Sequence, residues 1–344
     1  MAYTTINDPT QYFNTILYTG DGTTRNITGM NFKPDLLWVK RRSSTLHHRF
    51  WDTTRGAGYQ IYSSLTNEEA YDITAMSAFL SDGFSIPSGS LNNTNSETYV
   101  AWHWKANAGT TSSNTDGSIT STVQANTTAG FSIVTYTGTG TSGSTVGHGL
   151  NKKPNMIIVK NRDSALDWHV WHSGLDSTGE GFLFLNKTDN AYNYSYAYLA
   201  SNSSTFTPQG NTKVNASGAN MLAYCFADVK GYSKFGKYTG NGSSDGTFVY
   251  TGFRPAFVIV KRTDSTGNWG IYDNKRLGYN VDNNPLYADV SDAEGTSDVR
   301  DLLSNGFKQR NTGGGDNASG GTFIYMAFAE APFGGILTNE ATAR

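Results

Sequence analysis

The histidines are the residues of this 344-residue chain best suited to catalysis or metal binding, but their spacing argues against both roles. His169 and His172 fall in a predicted strand at an odd spacing, so their side chains face opposite sides. The adjacent His47 and His48 diverge in the same way, and no carboxylate or cysteine stands beside these histidines at metal-ligand spacing. The single cysteine, Cys225, excludes an internal disulfide and a cysteine-based zinc site. We therefore predict no metal site.

A glycine-rich turn at 138–143 matches the dinucleotide-binding pattern G-x-G-x-x-G. That pattern binds a cofactor only where a helix opens at the turn. The residues that follow, 144–149, read Ser-Thr-Val-Gly-His-Gly and contain no helical signal. The chain also has no serine nucleophile elbow and no Cys–His pair. We therefore predict no cofactor, no catalytic residue and no enzymatic activity.

Four tyrosines at alternate positions form the strongest candidate for a binding site: Tyr192, Tyr194, Tyr196 and Tyr198. In a strand, residues two apart point the same way, so all four rings would share one face. Aromatic faces stack on sugar rings, and tyrosine supplies contact area at a low entropy cost. A cross-strand aromatic ladder or a subunit contact would use the same pattern. We predict that this stripe binds a ligand.

The elements that must position these residues come from a threefold repeat. The segment Lys33–Lys40 returns as Lys153–Lys160 and again as Arg254–Lys261, each time after a Tyr-Thr-Gly-x-Gly turn. Pro34 and Pro154 are 120 positions apart, and Pro154 and Pro255 are 101 apart. This period is the size of a small domain, and it exceeds the roughly 20–50 residues of a solenoid unit.

Carboxylates at equivalent places in the repeat raise the question of glycoside hydrolysis, which needs two of them in one cleft. Asp52 and Asp273 each stand twelve residues after the last lysine of the motif, but His172 occupies that place in the middle copy. Positions shared between copies favour a structural role over a catalytic one. Polysaccharide cleavage therefore stays an alternative of low rank.

The strand pattern predicts an all-β fold. Met156–Val159 and Phe257–Val260 are short apolar runs typical of buried strands, whereas Phe131–Tyr136 alternates and predicts a half-buried strand. Helical periodicity is almost absent. We expect three tandem antiparallel β-sandwich modules of a jelly-roll or lectin-like kind, standing in a row. Their expected limits are 1–108 for the first module, 109–130 for a Ser/Thr/Gly-rich linker with a strand, 131–229 for the second module, 230–333 for the third and 334–344 for a C-terminal tail.

Charge and hydropathy limit the partners. The net charge is −2, the isoelectric point is about 6.3, and no basic block offers a footprint for nucleic acid. No apolar run approaches the roughly 20 residues of a membrane span, so we expect no membrane insertion. Residues 1–9 have neither the basic nor the apolar region of a signal peptide, and we expect no secretion by that route.

Several motifs resemble the repeated modules of virion proteins from tailed phages, mostly marine phages and cyanophages. The resemblance covers nearly the whole chain. The motifs are Asp8–Phe13 ahead of the first turn, Lys33–Lys40, Gly147–Leu150, Cys225–Gly236 and Ala318–Phe333. The resemblance implies a structural role in a virion assembled in the host cytoplasm, and it carries over no catalytic residue. Residues 334–344 depart from the usual ending of these modules.

These observations lead to one expected function and two alternatives. The first is a tail-fibre or receptor-binding adhesin that attaches to host-surface glycan without catalysis. The alternatives are a capsid-decorating head fibre or other tail component that binds virion proteins, and a polysaccharide depolymerase. The expected partners are other virion proteins, host glycan and further copies of the chain, with a homotrimer inferred from the symmetry of phage fibres.

Overall fold

Strands make up the regular structure of this protein. The computed structural model describes residues 4–194, 196, 198–277, 280, 284–297 and 299–332. Within these ranges the chain forms 28 strands and a 3₁₀ turn at Pro9–Gln11, with no α-helix. The all-β class predicted from the sequence is confirmed.

The strands divide among the three sequence repeats. The first repeat contains β1 Phe13–Thr19, β2 Arg25–Thr28, β3 Leu36–Arg41, β4 Arg49–Asp52, β5 Tyr59–Tyr62, β6 Ala70–Tyr71, β7 Ala78–Leu80, β8 Gly83–Ile86 and β9 Thr98–Trp104. The second, with the segment before it, contains β10 Ser112–Asn114, β11 Ser121–Asn126, β12 Phe131–Thr137, β13 Val146–Gly147, β14 Met156–Asn161, β15 His169–His172, β16 Gly181–Phe184, β17 Tyr192–Asn193, β18 Leu199–Ser201, β19 Thr205–Pro208 and β20 Asn220–Phe226. The third contains β21 Ser233–Thr239, β22 Phe248–Tyr250, β23 Phe253–Arg262, β24 Gly270–Asp273, β25 Leu286–Tyr287, β26 Arg300–Leu303, β27 Gly306–Gln309 and β28 Thr322–Pro332.

Each repeat builds a large antiparallel sheet and a three-stranded sheet in the same strand order. The large sheets are β1-β9-β3-β4-β5-β6, β10-β11-β12-β20-β14-β15-β16-β17 and β21-β28-β23-β24-β25. The small sheets are β2-β8-β7, β13-β19-β18 and β22-β27-β26. In every repeat the motif strand lies between the closing strand and the strand that follows the motif in sequence. The expected linker, 109–130, contributes β10 and β11 to the second large sheet.

Alternate residues of each motif strand point to opposite faces and enter different hydrophobic clusters. In β3, Leu37 and Val39 pack with Ile27 and Phe84 of the small sheet of the same repeat, as the two layers of a β-sandwich do. Leu36 and Trp38 point the other way, into a cluster that contains side chains of all three repeats. Both faces of the large sheets are therefore buried, which explains why the motif runs are continuously apolar.

The expectation of three sandwiches in a row is not confirmed, because a hydrophobic cluster on the second face of the large sheets joins the three repeats, beside the cluster that each repeat has between its own two sheets. The aromatic residues that close the repeats, Trp104, Phe226 and Phe328, contact one another. Their ring centroids are 6.4 Å apart for Trp104 and Phe226, 5.7 Å for Trp104 and Phe328, and 6.1 Å for Phe226 and Phe328. Equivalent residues of three copies can form such a triangle only around a common axis. The repeats are thus arranged with pseudo-threefold symmetry.

The last lysine of each motif binds the neighbouring repeat, and the three bonds close a ring. Each ammonium group donates to a backbone carbonyl of the repeat before it, with the third repeat preceding the first. The bonds run from Lys160 Nζ to Thr66 O (2.7 Å), from Lys261 Nζ to Thr188 O (2.9 Å) and from Lys40 Nζ to Ser291 O (3.2 Å). Burial lowers the pKa of each of these lysines to about 8. The shared motif lysine therefore connects the repeats.

The shared aromatic core predicts a large loss of stability when one of its rings is removed. We expect Phe226→Ala to lower the free energy of unfolding by about 3–5 kcal/mol, because it leaves a cavity on the axis. Phe248→Ala removes the same atoms from a side chain that is 44% exposed, and should change stability little. Urea unfolding of both variants tests this, and equal midpoints would contradict the shared core.

Buried histidines predict a loss of stability in mild acid. Burial lowers the pKa of His103 and His172 to about 4 and that of His169 to about 3, so these rings stay neutral in the folded protein. The unfolded chain protonates them near their ordinary pKa of about 6.5 and thus binds more protons below that pH. We expect the free energy of unfolding to fall as the pH drops from 6.5 to 4.

Urea unfolding at pH 7 and at pH 4.5 measures this dependence. Asp289, Asp35 and Asp228 work in the opposite direction, because burial raises their pKa, in Asp289 to about 6, but burial also lowers the pKa of the other three histidines. His172→Gln, which removes one titrating ring, should make the pH dependence shallower. A midpoint that is the same at both pH values would contradict the prediction.

Candidate functional site

A buried ion network lies between the first and second repeats. Arg55 Nε pairs with Asp52 Oδ2 at 2.5 Å, and Arg55 Nη1 pairs with Glu69 Oε2 at 2.8 Å. Glu69 also pairs with Arg162 of the second repeat, at 2.6 Å from Oε1 to Nη2. Asp52 in turn accepts a hydrogen bond from Tyr224 Oη at 2.8 Å. Two arginines from different repeats therefore hold one glutamate between them.

The same network recurs between the third and first repeats. Arg276 pairs with Asp273 at 2.7 Å and with Glu294 at 3.2 Å, and Arg42 of the first repeat pairs with Glu294 at 2.8 Å. Trp102 Nε1 donates to Asp273 Oδ2 at 3.0 Å. Asp273, like Asp52, is buried in an interface and bound to an arginine. These two carboxylates therefore belong to separate structural networks, out of reach of a substrate.

The interface between the second and third repeats lacks this network. Leu175 replaces the first arginine of the network, Ala191 replaces the glutamate, and Thr263 replaces the second arginine. The backbone shows the equivalence: Ala191 N donates to Thr263 O at 2.9 Å, just as Glu69 N donates to Arg162 O at 2.8 Å. The charged groups of the other two interfaces are absent from these positions.

A cleft of about 260 Å³ opens where the network is missing. Leu175, Ala191 and Ile324 supply apolar walls, and Thr263 and Thr322 supply hydroxyl groups. Tyr192, Asn193, Asp176 and Lys237 complete the polar part of the lining. The cleft thus combines an apolar floor, hydroxyls, an aromatic ring and one ammonium group.

Of the four tyrosines predicted as a binding stripe, Tyr192 lines this cleft, and the four do not form one strand. Strand β17 covers only Tyr192–Asn193, and the other three tyrosines lie outside strands. The exposed fractions are 39% for Tyr192, 38% for Tyr194 and 47% for Tyr196, whereas Tyr198 is only 3% exposed. The prediction that all four rings share one strand face is therefore wrong, and three rings remain available to solvent.

Packing on Phe182 brings the tyrosine rings together. The Phe182 ring lies 5.3 Å from Tyr192, 5.2 Å from Tyr194 and 4.4 Å from Tyr198. Tyr194 stacks on Tyr196 at 5.2 Å with an interplanar angle of 18°. Tyr198 also stacks on the buried His169 at 5.1 Å and so forms part of the support. We call Tyr192, Tyr194 and Tyr196 the exposed tyrosine cluster.

The three-ring cluster occurs in the second repeat, whereas the equivalent strands of the first repeat carry one exposed pair, Tyr59 and Tyr71, with ring centroids 4.8 Å apart. Phe182 pairs with Tyr192 across β16 and β17, and the equivalent pair in the first repeat is Gln60 with Ala70. In the third repeat the corresponding backbone bond joins Gly295 N to Pro285 O. The cluster and the cleft are thus two departures from the threefold pattern, and Tyr192 belongs to both.

The remaining candidates of the sequence have structural surroundings. Five of the six histidines are buried. Nδ1 of the sixth, His47, lies 2.9 Å from Ser64 Oγ. Across the described ranges, no group of three or more His, Cys, Asp or Glu side chains could hold a metal ion. Burial raises the pKa of the Cys225 thiol to about 12. The glycine turn at 138–143 leads into strand β13 and not into a helix.

Comparison with known proteins identifies the family. A model for a domain of unknown function, DUF7483, matches residues 8–332, which include all three interfaces, the cleft and the exposed tyrosine cluster. Neither curated proteins nor solved structures gave a match. The described residues contain no helix that is long and apolar enough to cross a membrane. Since the match spans most of the sequence, the chain belongs to the DUF7483 family.

Proposed function

We propose that the protein is a non-enzymatic virion attachment protein, of the tail-fibre or receptor-binding type, that contacts host-surface glycan through the exposed tyrosine cluster. One observation carries the proposal: three partly exposed rings stand together at the place where the threefold pattern is broken. The motif lysines that join the repeats recur in all copies, whereas this three-ring cluster occurs in one. Tyrosine rings offer flat apolar faces with hydroxyl edges, and these match the faces and hydroxyls of sugar rings.

The arrangement of the repeats supports a role in attachment. In this proposal 1–108, 131–229 and 230–333 are three jelly-roll or lectin-like sandwich modules fused around one axis. The contacts between them hold the cluster in place before a ligand arrives, and preorganisation lowers the cost of binding. Homo-oligomerisation, for which we keep the trimer as the expected state, would multiply a weak site by avidity.

A second candidate function is a structural component that binds other virion proteins, in the tail or on the capsid. It is favoured by Phe248 and Tyr250 on β22, whose side chains are 44% and 54% exposed in the third repeat. Two large aromatic side chains on one short strand are typical of a protein contact, because aromatic residues are enriched in such interfaces.

A polysaccharide array separates the two functions. We expect the full-length protein to bind bacterial lipopolysaccharides or capsular polysaccharides on the array. The double variant Tyr194→Ala/Tyr196→Ala should bind about tenfold more weakly or worse, because exposed aromatic anchors dominate such contacts. The matched control, Phe248→Ala/Tyr250→Ala, removes two exposed aromatic rings elsewhere and should bind like the original protein.

Two outcomes would contradict attachment through the tyrosines. One is an array without any bound polysaccharide, and the other is binding that survives the loss of Tyr194 and Tyr196. The structural role would be favoured if the original protein bound no glycan and the Phe248→Ala/Tyr250→Ala variant failed to assemble into virions.

A further inference from the structure

We propose that the cleft between the second and third repeats binds one acidic sugar, which occupies the space that Glu69 and Glu294 fill in the other two interfaces and whose carboxylate pairs with Lys237. The inference extends the proposed function, since such a sugar would be a unit of the host glycan that the exposed tyrosine cluster contacts. It rests on the comparison of three equivalent interfaces within one chain.

The cleft exists because small side chains replace large charged ones. In the first interface the carboxylate of Glu69 sits between Arg55 and Arg162. In the cleft, Ala191 and Thr263 are smaller than the Glu and Arg that occupy the equivalent positions of the other two interfaces. The volume that those larger side chains would fill is left as open space. Protein interiors and interfaces are normally packed without gaps larger than a water molecule. The cleft of about 260 Å³ stands at a position that side chains fill in the other two interfaces, and it has room for a ligand.

Lys237 supplies a cation that the other interfaces do not have at this position. The strand register of Tyr18, Tyr136 and Tyr238 makes Leu17 and Thr135 its equivalents in the first and second repeats. Lys237 is exposed, and its ammonium group makes no hydrogen bond or ion pair with any residue that the structure describes. The cleft thus holds a cation and lacks the glutamate of its sister interfaces.

Asp176, the acidic residue of the lining, does not serve as the partner of Lys237. Its Oδ1 accepts bonds from the backbone of Thr178 and Gly179, at 2.8 and 2.5 Å, and its Oδ2 accepts one from Gly181 N at 2.6 Å. These bonds lower the pKa of Asp176 against the opposing effect of burial, which is the larger single influence. The carboxylate is committed to its own turn, which leaves the ammonium group of Lys237 available to the carboxylate of a ligand.

The rest of the lining fits a single sugar ring. Tyr192 provides an aromatic wall whose orientation is fixed by stacking on Phe182 and by a 2.9 Å hydrogen bond from its hydroxyl to Asp189. Thr322 and Asn193 offer hydroxyl and amide groups to sugar hydroxyls. The volume lies just below the roughly 300–1,000 Å³ of pockets for drug-sized ligands, so it suits one ring and not a longer chain.

Titration of the full-length protein with D-glucuronate and with D-glucose, followed by NMR, tests the site. The two sugars differ in the carboxylate, so we expect glucuronate to bind more tightly than glucose. Lys237→Gln should weaken glucuronate binding about tenfold, as loss of a charge-assisted hydrogen bond does, and leave glucose binding unchanged. Lys275→Gln, the same substitution at an exposed lysine outside the cleft, should leave both unchanged.

A variant that restores the threefold pattern provides a second test. Ala191→Glu/Thr263→Arg rebuilds the Glu–Arg pair of the other interfaces inside the cleft. We expect it to keep the fold, as judged by its thermal midpoint, and to bind neither sugar. Glucuronate binding equal to that of the original protein in this variant, or in Lys237→Gln, would overturn the acidic-sugar site.

The two proposals can fail separately. Polysaccharide binding that depends on Tyr194 and Tyr196, without any binding of glucuronate, would overturn the cleft and leave attachment standing. Glucuronate binding that depends on Lys237, without any binding to the polysaccharide array, would support the cleft and overturn attachment through the tyrosines.

Discussion

The contact of Trp104, Phe226 and Phe328 on the pseudo-threefold axis is the interaction on which the rest of the structure depends. It requires each large sheet to turn one face towards the axis and the other towards the small sheet of its own repeat. Apolar residues must therefore occupy both faces of the motif strands, as in β14, where all six residues are buried. Each repeat has a cluster of its own between its large and small sheets, and the axial cluster joins the three repeats into one hydrophobic structure.

The polar contacts between repeats follow from this packing. Once the sheets meet on the axis, their edges approach each other, and the backbone carbonyls there need donors because unpaired buried carbonyls are costly. The motif lysines supply these donors in all three interfaces, and Arg55 and Arg276 add ion networks in two of them. A buried charge is tolerated only with its partner. Loss of the glutamate in the second repeat therefore goes together with loss of both arginines, and this joint loss opens the cleft.

The sequence predicted the local structure well and the arrangement poorly. The strands expected at Met156–Val159 and Phe257–Val260 lie within β14 and β23, because period and composition are local properties. Phe131–Tyr136 was expected to be half-buried, yet Ser132 is buried too, since its face of β12 packs into the cluster between the two sheets of the second repeat. The tyrosines were found through their spacing, although Tyr198 is buried. The cleft could not be predicted, because it depends on which residues of different repeats meet. The signals in the sequence were Leu175, three residues after His172, and Thr263, two residues after Lys261; the other copies have arginine at both places.

Fusion of three repeats into one chain has a consequence for how such a protein diversifies. In a trimer of identical chains, a substitution at an interface appears three times, and an opened interface would weaken the whole ring at once. Here Ala191 and Thr263 change one interface, while Lys40, Lys160 and Lys261 hold all three. One repeat can thus acquire a new binding specificity under selection. The ring then contains one altered interface, not three.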